Sequence, residues 1–276
     1  MPQLQLSFNA SFALKKEDLL KILRVAADEE GLAFPLSDLM TKTGLGNKKV
    51  GPMKSWAIRA GLVQGHTLSP EGQLILERDP YLISPLTDWF MHAHLSLAGH
   101  GFAASPNQPA DWGGWPWLVY HYAPLHAQFT LDDLVQYSSA VFADDTPKVL
   151  TKNFKLLLRT YTDSTALSAI RWLTLNGTTY TTGDVQLPSP YLIGYILAKL
   201  WERDYPDDTS ILTKTLLDQP FGLAALLGLS NTQLQTQLDT LETYAILEQR
   251  REVPPFQLVR RWLSPLDLLD KAYAGA

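Results

Sequence analysis

The sequence predicts a mainly α protein with small β wings, in which winged helix-turn-helix units at the two ends flank a helical, aromatic-rich middle. Three observations carry this. Residues 35–80 read as two short helical segments about a Gly44-Leu45-Gly46 turn, then a short apolar strand, a tight turn and a new helix. A similar order recurs from Thr209 onward, and the region between them concentrates tryptophan, tyrosine and histidine. The implied divisions are residues 1–80, 81–208 and 209–276.

Composition bounds the chemistry. The 276 residues are 46% hydrophobic and 11% aromatic, enough for a substantial core. There is no cysteine, which excludes disulfides, thiolate zinc sites and a cysteine nucleophile from this chain. The opening MPQLQLSFNASF has neither the charged nor the apolar region of a secretory signal, and no apolar run reaches the ~20 residues of a membrane span. A cytoplasmic protein without a membrane partner is expected. A formal net charge of -5 argues against nucleic acid coating the entire surface, but leaves room for a local basic footprint.

At the N-terminus, Leu4, Leu6 and Phe8 alternate with polar residues, as in a short strand or extended arm. Residues 16–29 follow as a helix whose buried face is Leu19, Leu20, Leu23, Ala26 and Ala27. Ser37 or Asp38 is a candidate cap for the next short helix, and Asn47 for the one after it. Val50, Met53, Ala57 and Ala60 recur at helical spacing, and Gly61 closes that helix. Leu62-Val63 reads as a wing strand and Gly65-His66 as its turn. Ser69-Pro70 is a cap and first-position pair for another helix ending near Asp79-Pro80.

The candidate DNA contacts lie on the second helix of this unit and beside it: Lys42, Asn47, Lys48, Lys49, Lys54, Ser55, Arg59 and His66. From Leu39 through Pro70 there is no Asp or Glu. Cations on a helix able to enter a groove neutralise phosphates and release counterions, which supplies sequence-independent affinity. The competing reading is a solvated charged face on a helix that only packs.

At this point the chain resembles a known family. GLGNKKVGPMKSWAIRAGLV, followed by LSPEGQLILERDPYLISPLTDWFMHAHLSL, is similar to the prokaryotic domain of unknown function 4007. KVLTKNFKLLLRTY, SPYLIGYILAKLWE and FQLVRRWLSPLDLLDKAY extend the likeness in the same order. Asn9-Ala10-Ser11-Phe12 stands where the family usually shows a Gly-His-Glu-like motif, so no role of that histidine carries over. The resemblance implies a setting beside phosphosulfate-reductase-like proteins, in anti-phage defence or DNA modification. It assigns no chemistry.

Between residues 81 and 126 lie five of the six histidines and many aromatics. His92 and His94 are about 200° apart on a helix and cannot grip one ion together, and no His-Glu-x-x-His pattern exists. The expectation is a helical hairpin packed through aromatic faces, joined by the loop from Gly99 to Gly114, with no metal and no cofactor. Residues 129–142 read as a further helix. Residues 148–161 form another, with Leu150, Phe154, Leu157, Leu158 and Tyr161 inward and Lys148, Lys152, Lys155 and Arg159 aligned outward. That stripe is a second candidate for DNA, or an ordinary wet face.

Asn176-Gly177 predicts a hairpin, and Ser189-Pro190 opens a helix. In the last unit, residues 212–218, 222–227 and a third segment capped by Ser230 or Asn231 read as helices. Ile246-Leu247 and residues 256–259 read as strands around a wing loop. Its would-be recognition helix carries Gln233, Gln235, Gln237, Asp239 and Glu242 with no cation, so docking or dimerisation is expected there. Only Arg250 and Arg251 of its wing are candidates for DNA. Nucleotide-binding turns and nucleophile elbows are absent from the sequence. The function predicted is non-catalytic binding of double-stranded DNA. The alternative is an adaptor for other subunits of a defence complex, and a homodimer is compatible with either.

Overall fold

Helix α1 (Lys16–Ala26) carries Glu17 and Asp18 in its first turn, where carboxylates favour the helix dipole, and buries Leu19, Leu20, Ile22, Leu23 and Val25. The computed structural model describes residues 1–97, 100 and 105–275, so part of the expected loop from Gly99 to Gly114 lies outside the described residues. Ahead of α1, residues 1–6 form an arm without strand pairing, ending in a 3-10 turn at Ser7–Asn9. Leu4 and Leu6 of this arm are buried.

Helix α2 (Leu36–Thr43) ends at Gly44, whose left-handed φ of 66° closes the C-terminus. Ser37 and Asp38 lie inside its first turn and do not cap it; the cap position is Pro35. Helix α3 (Asn47–Arg59) starts one residue before the expected register. Gly46 is its cap and Asn47 its first helical residue, so no side chain satisfies the leading amides. The helix runs through Pro52, held by Val50, Met53 and Ala57 as expected and by fully buried Trp56.

Strands β1 (Val63–Gln64) and β2 (Thr67–Leu68) pair antiparallel around Gly65-His66. Leu32 N–H donates to His66 O at 2.6 Å, tying the hairpin to the link between α1 and α2. Gly31 is required there, because a Cβ would sit 2.2 Å from that carbonyl oxygen. Ser69 caps α4 (Pro70–Arg78) by accepting from Gly72 N–H.

Helix α5 (Pro85–Leu95) is buried on all sides. It does not form the expected hairpin with the tryptophan-rich segment. Its neighbours are a 3-10 turn at Ser168–Ile170 and α10 (Pro190–Asp204), because its apolar residues face every direction and need a shell. The tryptophan-rich segment is α6 (Gly114–Trp117), a π-helical turn at Leu118–Tyr122, and α7 (Ala123–Leu125).

Strand β3 (Gln128–Thr130) precedes α8 (Leu131–Val141), which Thr130 and Asp133 cap reciprocally. Helix α9 (Pro147–Thr162) buries Leu150, Phe154, Leu157, Leu158 and Tyr161. The Asn-Gly turn joins β4 (Leu173–Asn176) to β5 (Thr179–Thr182), with β3 adding on β5 to give the order β3-β5-β4.

The last part holds β6 (Ser210–Leu212), α11 (Thr213–Leu217), α12 (Leu223–Leu227), α13 (Asn231–Thr243), β7 (Leu247–Arg250), β8 (Gln257–Arg260) and α14 (Pro265–Ala274). Its sheet has the order β6-β8-β7, one strand more than the wing hairpin expected. Helix α14 packs along α10 and touches α4, where Arg78 pairs with Asp270 at 2.6 Å. The architecture is mainly helical with small antiparallel sheets, and one contiguous cluster of buried residues runs from Leu4 to Tyr273. No helix among the described residues is long and apolar enough to cross a membrane.

Candidate nucleic-acid interface

Helix α3 turns Val50, Met53, Trp56, Ala57 and the following Ala60 inward, which leaves Asn47, Lys48, Gly51 and Ile58 exposed with Ser55 and Arg59 half-buried beside them. This outer face carries no acid. Its N-terminus is open, since Gly46 and Gly51 have nothing within 4 Å of where a Cβ would stand. The side chains of Asn47 and Lys48 have no hydrogen-bond or ion-pair partner among the described residues, so the leading amides and one ammonium group meet solvent together.

The other cations behave differently. Lys49 is ion-paired to Asp18, a buried carboxylate on α1 that also lies 3.5 Å from Lys21. Lys42 sits 3.4 Å from Asp28 and 4.3 Å over the Phe34 ring. Lys54 Nζ donates to Leu32 O and to His66 Nδ1, both at 3.2 Å, so these two predicted residues do meet, but as a clasp between helix and hairpin. Arg59 lies 4.3 Å over the Phe8 ring, and burial pulls its guanidinium below its ordinary pKa. An acid-free stretch of sequence is therefore not an acid-free region of space, because α1 and the loop after it supply the carboxylates.

Phe8 was not singled out as a site residue, yet it forms the shelf for Arg59 and packs edge-on against Trp56 at 4.8 Å. The signal was the alternation of Leu4, Leu6 and Phe8, which marks the arm as one-sided. The arm runs between α3 and α9: Arg59 and Asn153 line one groove of about 830 Å³ with it. Beyond Asn153, α9 presents Lys148, Lys152 and Lys155, exposed and without acidic partners among the described residues. Arg159 is engaged by Asp163 at 2.9 Å, whose carboxyl is held down at about 2 by Thr165 and then by that guanidinium. On the C-terminal sheet Arg250 pairs with Glu248 at 3.1 Å, and Arg251 pairs with Asp239 of α13.

The histidines disperse. His92 Nε2 donates to Leu226 O at 2.8 Å, since a carbonyl only accepts, which leaves Nδ1 to accept from Tyr161 Oη at 2.7 Å. Tyr161 Oη in turn accepts from Trp115 Nε1 at 2.9 Å. Burial lowers His92 to about 4 and His94 to about 3, so both are neutral core groups. His121 and His126 lie apart from them, His126 stacked on Tyr122. Among the described residues no three His, Asp or Glu side chains converge as a metal set would.

The family described as "Protein of unknown function (DUF4007)" matches residues 8–171, more than half of the chain. No curated protein matches. Two solved structures share the fold. "Magnesium ion-bound SspB crystal structure" aligns with a TM-score of 0.72 at 18% identity, covering 98% of this chain and 86% of that one. "SspB crystal structure" gives a TM-score of 0.69 at 17% identity, with the same two coverages. The chain belongs to the DUF4007 family.

Proposed function

We propose that the chain is a non-catalytic DNA-binding protein serving a prokaryotic defence or DNA-modification system. On this reading α2, α3 and the β1–β2 hairpin act as a winged helix-turn-helix, with α3 against a duplex groove. The observation that carries it is the outer face of α3: acid-free, headed by amides that no side chain caps, and carrying Lys48 without a partner among the described residues. Lys148, Lys152 and Lys155 on α9 add a second set of phosphate contacts across the arm. The setting rests on the family, which the resemblance links to such systems.

Anisotropy titration of a labelled duplex at several salt concentrations tests this. Four partner-free ammonium groups give a slope of log K against log[salt] of about -4. A flat dependence overturns the proposal. A second reading, an adaptor that binds other subunits, draws on the neutralisation of Lys42 and Lys49 by Asp28 and Asp18. It also draws on the exposure of Tyr81 and Ile83 beside α5. Under it, salt leaves weak duplex binding unchanged and a stoichiometric partner co-purifies from the native host.

A further inference from the structure

A helix lying in a DNA groove meets phosphates along its flanks and base edges along its midline, and only the midline reads sequence. Successive helical residues are about 100° apart, which brings Asn47, Gly51 and Ile58 of α3 within about 40° of one another, on the side opposite buried Trp56. Lys48 and Arg59 flank this line on one side and Lys54 on the other.

The midline is uncharged and partly apolar. Ile58 is 39% exposed, the only large apolar side chain that α3 turns to solvent. Its helical neighbours Met53, Trp56 and Ala57 are all fully buried, so the core is already filled without it. Gly51 has nothing within 4 Å of where a Cβ would stand, and its φ is not left-handed, so no contact within the fold calls for the missing side chain. A glycine in a helix interior is destabilising relative to alanine, and what it permits here is close approach from outside. The long cations beside the line are held by the protein itself: Lys54 by Leu32 O and His66, Arg59 over the Phe8 ring.

We propose that Ile58 contacts the 5-methyl group of a pyrimidine and makes α3 sensitive to that methyl, an inference that rests on the groove reading above. The thymine 5-methyl is the one apolar group the four bases present in the major groove, and apolar side chains are what contact it. Guanine offers acceptors on its edge and finds no unengaged cation on this midline. Thymine and 5-methylcytosine carry the same methyl at the same ring position, so the chemistry is shared and the source is decided by experiment.

Anisotropy titrations with two pairs of short duplexes test the assignment. One pair has a single sequence carrying thymine or uracil, the other a single sequence carrying 5-methylcytosine or cytosine, and each pair differs by the methyl alone. Tighter binding of the methyl-bearing member, by about fourfold for each methyl buried, is the expected result. A difference in the first pair identifies thymine as the source, and one in the second identifies 5-methylcytosine. Ile58→Ala brings the ratio to one and leaves the salt slope unchanged, because no charge is removed. Thermal melting verifies that this variant folds. Equal affinities within both pairs, or a ratio that survives Ile58→Ala, overturn the assignment. The salt slope from the same titrations reports on the groove reading separately. A slope of about -4 with a ratio of one removes the methyl contact alone, whereas binding indifferent to salt removes both.

Discussion

Lys48 and Lys49 are neighbours in the sequence with opposite surroundings. Lys48 projects into solvent, whereas Lys49 closes on the buried carboxylate of Asp18. Lys48→Ala is expected to make the salt slope of duplex binding shallower by about 1 while leaving stability within about 0.5 kcal/mol. Lys49→Ala should do the reverse: the slope holds, and unfolding becomes easier by about 1–2 kcal/mol because Asp18 loses a partner. Denaturant titrations beside the salt series check both. The sequence displayed all the cations but not their fates, since Asp18 and Asp28 lie outside the acid-free window and reach it only through folding.

The buried histidines set a pH dependence at the same scale. His92 and His94 are depressed to about 4 and about 3 by burial, so the unfolded chain takes up protons on them that the folded chain does not. Their contribution is whole above pH ~6.5 and is lost as pH falls toward 4. Asp88 opposes them: burial pushes it up to about 7 despite Lys16 at 2.9 Å, so its contribution falls as pH rises from about 4 to 7. Two histidines against one carboxylate leave stability rising with pH above ~4.5, by at most about 1.4 kcal/mol per pH unit, and the rise fades toward pH ~6.5, where the histidines of the unfolded chain lose their protons. His94→Phe removes one of the pair and flattens that profile in denaturant midpoints.

At the scale of elements, legibility followed the strength of the local signal. The Asn176-Gly177 and Gly65-His66 turns, the Ser69 and Ser189 caps and the stripe of α9 were all readable, because each is fixed by residues within a few positions of one another. Strands β3 and β6 were missed: each has three residues and exists only by pairing with a distant strand. Trp56 was missed as an anchor, though it joins α3 to Phe8 of the arm, to Phe12 O by a hydrogen bond of 3.0 Å, and to Trp115 of α6 at 5.8 Å. Trp56→Ala is expected to cost about 3–5 kcal/mol. It should also release the arm, seen as faster amide exchange at Leu4 and Leu6.

For the whole molecule, the informative contacts tie the first part to the last. Thr87 Oγ1 donates to Asp79 at 2.6 Å and meets Tyr273 Oη at 2.7 Å, inside the core. The Arg78–Asp270 pair nearby is half exposed. Tyr273→Phe should cost about 1 kcal/mol and Arg78→Ala less, since exposed pairs contribute little. Fluorescence and circular dichroism should report the same unfolding midpoint, because the buried cluster is continuous.

The meeting of Arg78 with Asp270 spans 192 positions. At a synthesis rate of about 5–20 residues per second, the first helices leave the ribosome roughly 10–40 s before α14 arrives to cover Thr87 and the flank of α4. During that interval an apolar surface waits uncovered in the cell, a natural place for a chaperone to hold the nascent chain.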